Sequence, residues 1–209
     1  MARKSTNTDQ KLLKCGRKLL IKKGASQLSI REVAKAADVN LGMFNYHFGN
    51  KDKFIEQILA EIYTEFLAGF KLDENQTMSE VEVLEHQLFL IARFARDNRH
   101  LILVLLNDVL NGEKAVQKFA KQNVRKHFVL LAKTIKACQK KKLIIDAPIP
   151  MILTQIAGSI GLSNLIPEVL KQLGINKIFE LGISIVNKTL MSDAVLEKRV
   201  EMVMRGLKV

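Results

Sequence analysis

The stretch SIREVAKAADVNLGMFNYHFGNKDK, which begins at Ser29, contains two short helical patterns that are joined by a tight turn. Ser29 and Glu32 match a capping box, which ties up free amides at the start of a helix. An apolar face follows at spacings of three and four residues, formed by Ile30, Val33, Ala34 and Ala37. Residues 38–39 predict a turn, and Asn40 predicts the cap of a second helix over about 41–47. The stretch therefore predicts a helix-turn-helix.

A helical spacing of apolar residues continues through most of the chain and predicts an all-α protein. Of its 209 residues, 48% are hydrophobic, and only 3 prolines and 11 glycines interrupt the pattern. We find no sustained alternation of the kind that strands show. The predicted helices cover residues 9–23, 29–37, 41–47, 51–70, 80–98, 100–111, 113–142, 150–166, 168–173, 176–191 and 193–207.

A polar segment, KLDENQTMS at residues 71–79, breaks the apolar period and is the best candidate for a domain boundary. We expect an N-terminal three-helix helix-turn-helix domain over residues 1–50 and a helical C-terminal domain over 71–209. A helix over about 51–70, capped by Asn50, is expected to connect them.

Positive charge is concentrated near the start of the chain. The whole sequence carries 33 basic and 21 acidic residues, a net charge of +12, and residues 1–53 hold 12 basic against 4 acidic side chains. A local excess of this kind indicates a polyanionic partner. The alternative is that the charge only keeps the surface soluble.

One face of the second short helix has residue types that can read double-stranded DNA. In a helix-turn-helix, the second helix lies in the major groove. With Phe44 expected to face the core, Asn45 can hydrogen-bond a base edge. Leu41 and Met43 can contact thymine methyl groups, and Gly42 lets the backbone come close to the duplex.

Lys51 is placed in the first turn of the connecting helix, where a cation opposes the helix macrodipole. A DNA phosphate would offset this placement, because a helix N-terminus and a lysine together form a good anion site. Tyr46 and His47 can add phosphate hydrogen bonds, and Ser29 and Arg31 can do so from the preceding helix. The alternative is that the aromatic residues are ordinary core residues and Lys51 is solvated.

The sequence from Ser29 to Lys51 resembles the DNA-binding domain of TetR-type transcriptional regulators. The likeness rests on the helix start SIREVA, the turn and the run FNYHFGNK, and it covers about residues 9–60 closely. It implies phosphate-contact positions at Tyr46, His47 and Lys51, and base-reading positions at Leu41, Gly42, Met43 and Asn45. The family often has Thr or Ser at the Met43 position and commonly an aromatic residue at the Asn45 position, so the operator sequence does not follow from the resemblance.

The resemblance also implies a C-terminal domain that forms a homodimer and encloses a small-molecule pocket. The segment IAGSIGL at residues 156–162 has small residues on helical spacing, and a second apolar stripe begins at Ile178. We predict that these two helices build a four-helix interface with a second copy of the chain. The alternative is that both stripes fill the core of their own chain. The predicted interface residues are Ile156, Ser159, Ile160, Ile178, Leu181 and Ile185.

We expect the effector molecule to be largely apolar, because the helices between residues 80 and 142 supply mainly Leu, Phe, Ile and Val. No catalytic or metal spacing joins their polar residues, so the sequence predicts no enzyme activity, no metal site and no cofactor. A basic series is expected to be a solvated face, with an acidic ligand or DNA as the minor alternative; it consists of Lys114, Lys118, Lys121 and Arg125. The candidate ligand-binding residues are His86, Gln87, His100, Asn107, Gln122 and His127.

Cys15 and Cys138 form neither a metal spacing nor a disulfide framework, and they suit a reducing compartment. The N-terminus has no signal-peptide pattern, and no apolar run reaches the length of a membrane span. We therefore expect a cytoplasmic protein without a membrane partner. The most specific prediction is a homodimeric repressor that a ligand releases from its operator. The alternatives are an activator or ligand-independent DNA-binding protein of the same fold and, more remotely, a helical carrier or enzyme.

Overall fold

A computed structural model of the chain describes residues 7–70, 78–175, 177–178 and 181–209. Its helices confirm the all-α prediction, and through residue 140 their bounds agree closely with the predicted ones. They are α1 Thr8–Lys23, α2 Ile30–Ala36, α3 Leu41–Phe48, α4 Lys51–Ala68, α5 Glu80–Asp97, α6 Arg99–Leu110, α7 Lys114–Lys140, α8 Ile149–Ile156, α9 Ile166–Gln172, α10 Ile183–Leu190 and α11 Asp193–Leu207.

The described chain divides into two compact units. The first consists of residues 7–65 and 100–124, and the second of residues 66–70, 78–99 and the described part of 125–209. The first unit thus combines α1 to α3 and most of α4 with α6 and the first part of α7. Most of the predicted boundary segment, residues 71–79, lies outside the described residues, and the domain boundary there stays a prediction.

Aromatic packing holds α3 against α1 and α4 in the first unit. Phe44, Phe48 and Phe54 are all buried, and their ring centroids lie 4.7 to 5.4 Å apart. Gly16 of α1 permits this arrangement, because a Cβ atom at that position would lie only 2.3 Å from Phe54 Cζ. The prediction that Phe44 faces the core is therefore confirmed.

The two predicted asparagine caps are confirmed. Asn40 Oδ1 accepts a hydrogen bond from the Gly42 amide at 2.8 Å, and Asn50 Oδ1 accepts one from the Lys53 amide at 2.9 Å. The predicted turn before α3 is also present, with Asp38 in the left-handed region at a φ of 54°. Asp tolerates this region better than most residues, because its short polar side chain can hydrogen-bond locally.

The predicted capping box at the start of α2 is wrong. Ser29 occupies the N-cap position, but its side chain makes no capping hydrogen bond. The Glu32 carboxylate instead accepts hydrogen bonds from Lys23 Nζ at 2.6 and 2.9 Å. A charged partner competes well against a backbone amide, since charge-assisted hydrogen bonds are the stronger ones.

The second unit has an apolar core formed by α5, the second half of α7, α8 and α11. Among its buried members are Leu84, Leu88, Leu131, Ile135, Ile152, Leu196 and Met204. A capping box does form at the start of α5, where Ser79 and Glu82 exchange hydrogen bonds. The backbone and hydroxyl of Ser79 donate to the Glu82 carboxylate and lower its pKa.

The helix predicted over residues 150–166 changes its winding partway. After α8 the chain makes a π-helical turn at Ala157–Gly161 and a 3₁₀ turn at Leu162–Asn164. Asn164 is fully buried, and its amide nitrogen donates to the Ile160 carbonyl at 2.6 Å. Arg199 in turn donates to Asn164 Oδ1 at 2.9 Å. These bonds satisfy a buried polar side chain at the point where regular winding stops.

The helix predicted over residues 176–191 is shorter than expected. Two short antiparallel strands, β1 Lys177–Ile178 and β2 Leu181–Gly182, pair before α10 begins at Ile183. The helix begins directly after Gly182, a residue type that costs about 1 kcal/mol relative to alanine inside a helix.

No single helix among the described residues has both the length and the apolar character to cross a membrane. By length and composition, one bent pair of segments meets that test together: Ile149–Asn164 and Ile166–Gln172, which meet at 47°.

His127 belongs to an aromatic cluster in the second unit. Its ring lies edge-on to Phe66 at a centroid distance of 5.8 Å, and Phe66 also packs against Phe94 at 4.3 Å and Phe70 at 4.9 Å. Burial lowers the pKa of His127 from 6.5 to about 4. The folded chain therefore favours the neutral imidazole.

We expect His127 to make the stability of the chain depend on pH below 6.5. The unfolded chain takes up a proton at this residue as the pH falls through 6.5, whereas the folded chain does so only near pH 4. Between pH 7.5 and 4.5, the free energy of unfolding should fall by about 2 kcal/mol more in the wild type than in His127→Leu. Urea denaturation across this pH range measures the difference. Parallel pH profiles for the two proteins would contradict the expectation.

Candidate nucleic-acid interface

The orientation of α3 follows from its two buried phenylalanines. Phe44 and Phe48 are four residues apart and face the interior of the first unit. Residues between and before them are consequently directed outward, and Tyr46 is 81% exposed. Gly42 and Asn45 are also exposed. The predicted reading face is therefore accessible to solvent. Its apolar members are less exposed than the others, because Leu41 is half-buried and Met43 is 38% exposed.

The start of α2 presents two more of the predicted DNA-contact residues. Ser29 and Arg31 are both exposed. Because the Ser29 side chain makes no capping bond, its hydroxyl group is not committed to the helix start. The failure of the capping box thus keeps this hydroxyl available to a partner.

Lys51 is held in place rather than freely solvated. It is half-buried at the first position of α4, and its Nζ donates a hydrogen bond to the Ser26 carbonyl at 3.1 Å. Ser26 lies in the segment of residues 24–29 between α1 and α2, which we call the α1–α2 loop. An ammonium group has three N–H donors, so this single bond leaves capacity for a phosphate.

His47 is half-buried, and one of its two ring nitrogens is enclosed by the first unit. Its ring lies edge-on to Tyr46 at 5.3 Å, but its Nε2 atom is buried and has no hydrogen-bond partner among the described residues. The predicted phosphate hydrogen bond cannot come from Nε2 in this conformation. Any such bond from the His47 ring has to use Nδ1.

Several acidic side chains of the first unit are paired with cations. Lys23 pairs with Glu32, Arg17 with Glu65 at 3.1 Å, and Lys118 with Glu56 at 2.8 Å. Exposed lysines on the same unit include Lys18, Lys22, Lys35 and Lys53. Pairing of the acids leaves a positive surface, which favours a polyanion over other partners.

The predicted ligand-binding residues are divided between the two units. His100 and Asn107 are exposed on α6 of the first unit, whereas the half-buried His86 and His127 belong to the second. Gln87 differs from all of these, because its side chain is 6% exposed and its Oε1 has no hydrogen-bond partner among the described residues. The predicted set therefore does not form one site within a unit.

The basic series on α7 has the exposure expected of a solvated face. Lys118, bonded to Glu56, lines a shallow surface groove together with Lys114, Gln117, Lys121 and Gln122. Within the described residues Lys118 alone of the basic series forms an ion pair, and all four members are exposed: Lys114, Lys118, Lys121 and Arg125.

Two of the predicted interface residues have no surface to offer a partner chain. Ile156 and Ile160 are buried in the core of the second unit, which is the alternative that the sequence left open. Ser159 is half-buried and accepts a hydrogen bond from Gln155, whereas Ile185 is exposed. The side chains of Ile178 and Leu181 lie outside the described residues.

A different apolar series, which extends from α8 to the end of α9, is exposed and was missed. It consists of Met151, Leu162, Ile166, Val169 and Leu173. These residues recur at helical intervals, but so do the buried ones, and periodicity alone does not separate the two sides of a helix that is apolar on both. Sequence reasoning also missed Asp108, a buried carboxylate on α6 of the first unit.

Comparisons with known proteins agree with this geometry. The family model described as "Bacterial regulatory proteins, tetR family" matches residues 12–58, which extend from α1 into α4. The Bacillus subtilis (strain 168) protein named "Probable HTH-type transcriptional regulator YttP" is 23% identical over 168 residues, covering 79% of this chain and 81% of the relative. The Shigella flexneri "HTH-type transcriptional regulator AcrR" is 27% identical over 160 residues, covering 69% of this chain and 72% of the relative.

Solved structures extend the likeness in fold to nearly the whole chain. The ketosteroid transcriptional regulator KstR2 of Mycobacterium tuberculosis matches with a TM-score of 0.69 at 11% identity, covering 99% of this chain and 97% of that one. At such low identity, the match establishes the fold alone. The named relatives are regulators rather than enzymes. The family match over α1 to the first part of α4, together with the outward face of α3, supports a DNA-binding transcriptional regulator whose N-terminal region is of the TetR type.

Proposed function

We propose that this regulator is a homodimeric repressor that grips DNA phosphates with Tyr46 and Lys51 and reads bases with the outer face of α3. The observation that carries the proposal is the 81% exposure of Tyr46 on a helix whose opposite side is fixed by buried phenylalanines. An exposed tyrosine at this position can hydrogen-bond a phosphate through its hydroxyl group. Its neighbours supply suitable chemistry: the ordered cation of Lys51 and the exposed amide of Asn45.

The reading face is small, and a dimer would double it. Two copies related by two-fold symmetry can place their α3 helices in successive major grooves, about one helical turn apart. The exposed apolar series on α8, the following turns and α9 supports such a dimer in the second unit. Met151, Leu162, Ile166, Val169 and Leu173 are all more than two-fifths exposed in the single chain, and Gly158 between them has open space around its Cα.

The proposed effector is a small, largely apolar molecule that binds within the second unit beside Gln87. A buried carbonyl oxygen without a donor costs roughly 1–3 kcal/mol, so such an atom needs an explanation. An apolar molecule with one hydrogen-bond donor would satisfy it. A ligand of this kind can weaken DNA binding only if it binds one conformation of the regulator better than another.

Lys51 and Asn45 should fail in different ways when they are replaced. We expect Lys51→Ala to weaken binding to all DNA duplexes about equally and to reduce the salt slope of affinity by about 1, because one phosphate contact is lost. Asn45→Ala should instead relax the preference at one base pair, by about 1–3 kcal/mol. Affinities for duplexes selected from a random library, measured over a salt series, test both.

Lys140→Ala is the matched control for the DNA experiment. Lys140 is an exposed lysine in the last turn of α7 in the second unit, and its loss should leave the salt slope unchanged. A change of sequence preference in Lys51→Ala with intact affinity would refute the phosphate assignment. Transcription from a template with the selected site over its promoter gives the sign of regulation, since a repressor lowers the transcript and an activator raises it.

Leu162→Glu should convert the proposed dimer into monomers. A carboxylate at this 56% exposed position would be desolvated without a partner in an apolar interface. Sedimentation equilibrium at micromolar concentration measures the change in mass, and operator affinity should fall with it. Met202→Glu on α11, where Met202 is 64% exposed, is the control and should stay dimeric. A monomeric wild type, or a dimeric Leu162→Glu, would rule out this interface.

Gln87→Met should raise the free energy of unfolding of the effector-free protein by about 1–2 kcal/mol, because it removes the unpaired oxygen at little cost in shape. Gln139→Met is the opposite control. Its Nε2 donates to the carbonyls of Ile145 and Ala147 at 3.2 and 2.8 Å, so its loss should destabilise. Thermal unfolding compares the two variants.

The same variants distinguish an effector site from a structural glutamine. Small apolar compounds that carry one donor should include some that raise the wild-type unfolding temperature and lower its DNA affinity, while Gln87→Met responds to none of them. Destabilisation by Gln87→Met would show that its oxygen has a partner in solution. A library that shifts neither property in the wild type would favour the ligand-independent alternative.

A further inference from the structure

Asp108 is a buried carboxylate whose partners are backbone amides of the DNA-binding region. It lies on α6, within the first unit, and is 1% exposed. Its Oδ2 accepts a hydrogen bond from the Ala25 amide at 2.7 Å, and its Oδ1 accepts one from the Ser26 amide at 3.4 Å. Among the described residues no cation pairs with it, so these main-chain donors are what offsets its burial.

The α1–α2 loop is shaped to receive this carboxylate. Gly24 has a φ of +83°, and a Cβ atom there would lie 3.1 Å from both Asp108 oxygens and 3.0 Å from Val104 Cγ1. Glycine is therefore required twice, for the left-handed backbone and for the close approach. Ala25, the next residue, is fully buried. The loop is thus fixed against α6 over consecutive residues.

The α1–α2 loop also binds Lys51, through the carbonyl group of Ser26. The Ser26 amide donates to Asp108, and the Ser26 carbonyl accepts from Lys51 Nζ at 3.1 Å. One loop residue thus connects a buried anion on α6 to the cation at the start of α4. The connection covers two hydrogen bonds, and every member lies in the first unit.

We propose that Asp108 is a positioning residue for DNA binding, which acts on Lys51 through the backbone of Ser26. The proposal rests on the phosphate role given to Lys51 under the proposed function. Asp108 itself is buried and does not touch DNA. It fixes the position of the Ser26 carbonyl. That carbonyl in turn fixes the position of the Lys51 ammonium group before DNA binds. An ammonium group on a flexible four-carbon stem loses conformational freedom on binding, and prior placement reduces that loss.

A double-mutant cycle on DNA affinity tests the proposal. The proteins are wild type, Asp108→Asn, Lys51→Ala and the double variant, each measured with one duplex selected by the wild type. We expect Asp108→Asn to weaken binding about threefold or more when Lys51 is present and to change it little when Lys51 is absent. The salt slope should fall in Asp108→Asn toward that of Lys51→Ala, an effect that a loss of stability alone does not produce.

Two further variants keep the experiment decisive. Gly24→Ala disturbs the contact between Asp108 and the α1–α2 loop by a change in the loop. It replaces Asp108→Asn if that variant fails to fold, and its effect on DNA affinity should depend on Lys51 in the same way. Glu56→Gln removes a carboxylate that pairs with Lys118 in the same unit. Its effect should add to that of Lys51→Ala, because the two do not share a partner.

The outcomes separate the two proposals. If Lys51→Ala leaves DNA affinity intact, the phosphate assignment of the proposed function is wrong and the role of Asp108 is overturned with it. If Lys51→Ala weakens binding but Asp108→Asn has no effect, or has the same effect in both backgrounds, only the role of Asp108 is overturned. Dependence of the Asp108→Asn effect on Lys51 supports both.

Discussion

Packing of Phe44 and Phe48 against Phe54, which itself lies over Gly16 of α1, fixes the rotation of α3, and the DNA-facing surface depends on that rotation. Phe54 can lie against α1 only because Gly16 has no side chain, and Phe44 and Phe48 then close over it. With those two side chains inside, Tyr46 has to be outside, because residues two positions away lie across the helix. A rotation of α3 that buried Tyr46 would expose a phenylalanine, losing about 1.5–3 kcal/mol of burial. The outward chemistry is thus a consequence of the interior.

The capping signals show where local sequence suffices for prediction. Asn40 and Asn50 bond to amides two and three residues away, so each cap is formed within its own stretch of sequence. The pattern Ser-x-x-Glu occurs at the start of both α2 and α5, yet a capping box forms only at α5. At α2, tertiary packing brings Lys23 beside Glu32, and the Glu32 carboxylate accepts a hydrogen bond from Lys23 instead of from the helix start. Nothing in either four-residue pattern distinguishes the two cases, because the deciding partner comes from another helix.

The second unit was predicted less well because its helices are apolar on more than one side. The sequence showed that the segment after Pro150 was apolar and contained small residues, but it could not say which side faces the core of its own chain. Ile156 and Ile160 turned inward, and Leu162 turned outward. The winding changes at Ala157–Gly161, and the buried Asn164 that follows accepts a hydrogen bond from Arg199 of α11. A partner 35 residues away leaves no local signal.

Asp108, in the first unit, is a second case in which a distant partner leaves no local signal in the sequence. It is separated from Ala25 by 83 residues, and it reads from sequence as one acid within an apolar helix. Its partners are main-chain amides, which every residue except proline offers, so the side chains of Ala25 and Ser26 do not identify the connection. The path instead requires particular side chains at three other positions. It needs a carboxylate at 108, a glycine at 24 that allows the carboxylate to approach, and a lysine at 51 that reaches the Ser26 carbonyl. Substitution of Ser26 should therefore preserve this path, whereas substitution of Asp108, Gly24 or Lys51 should break it.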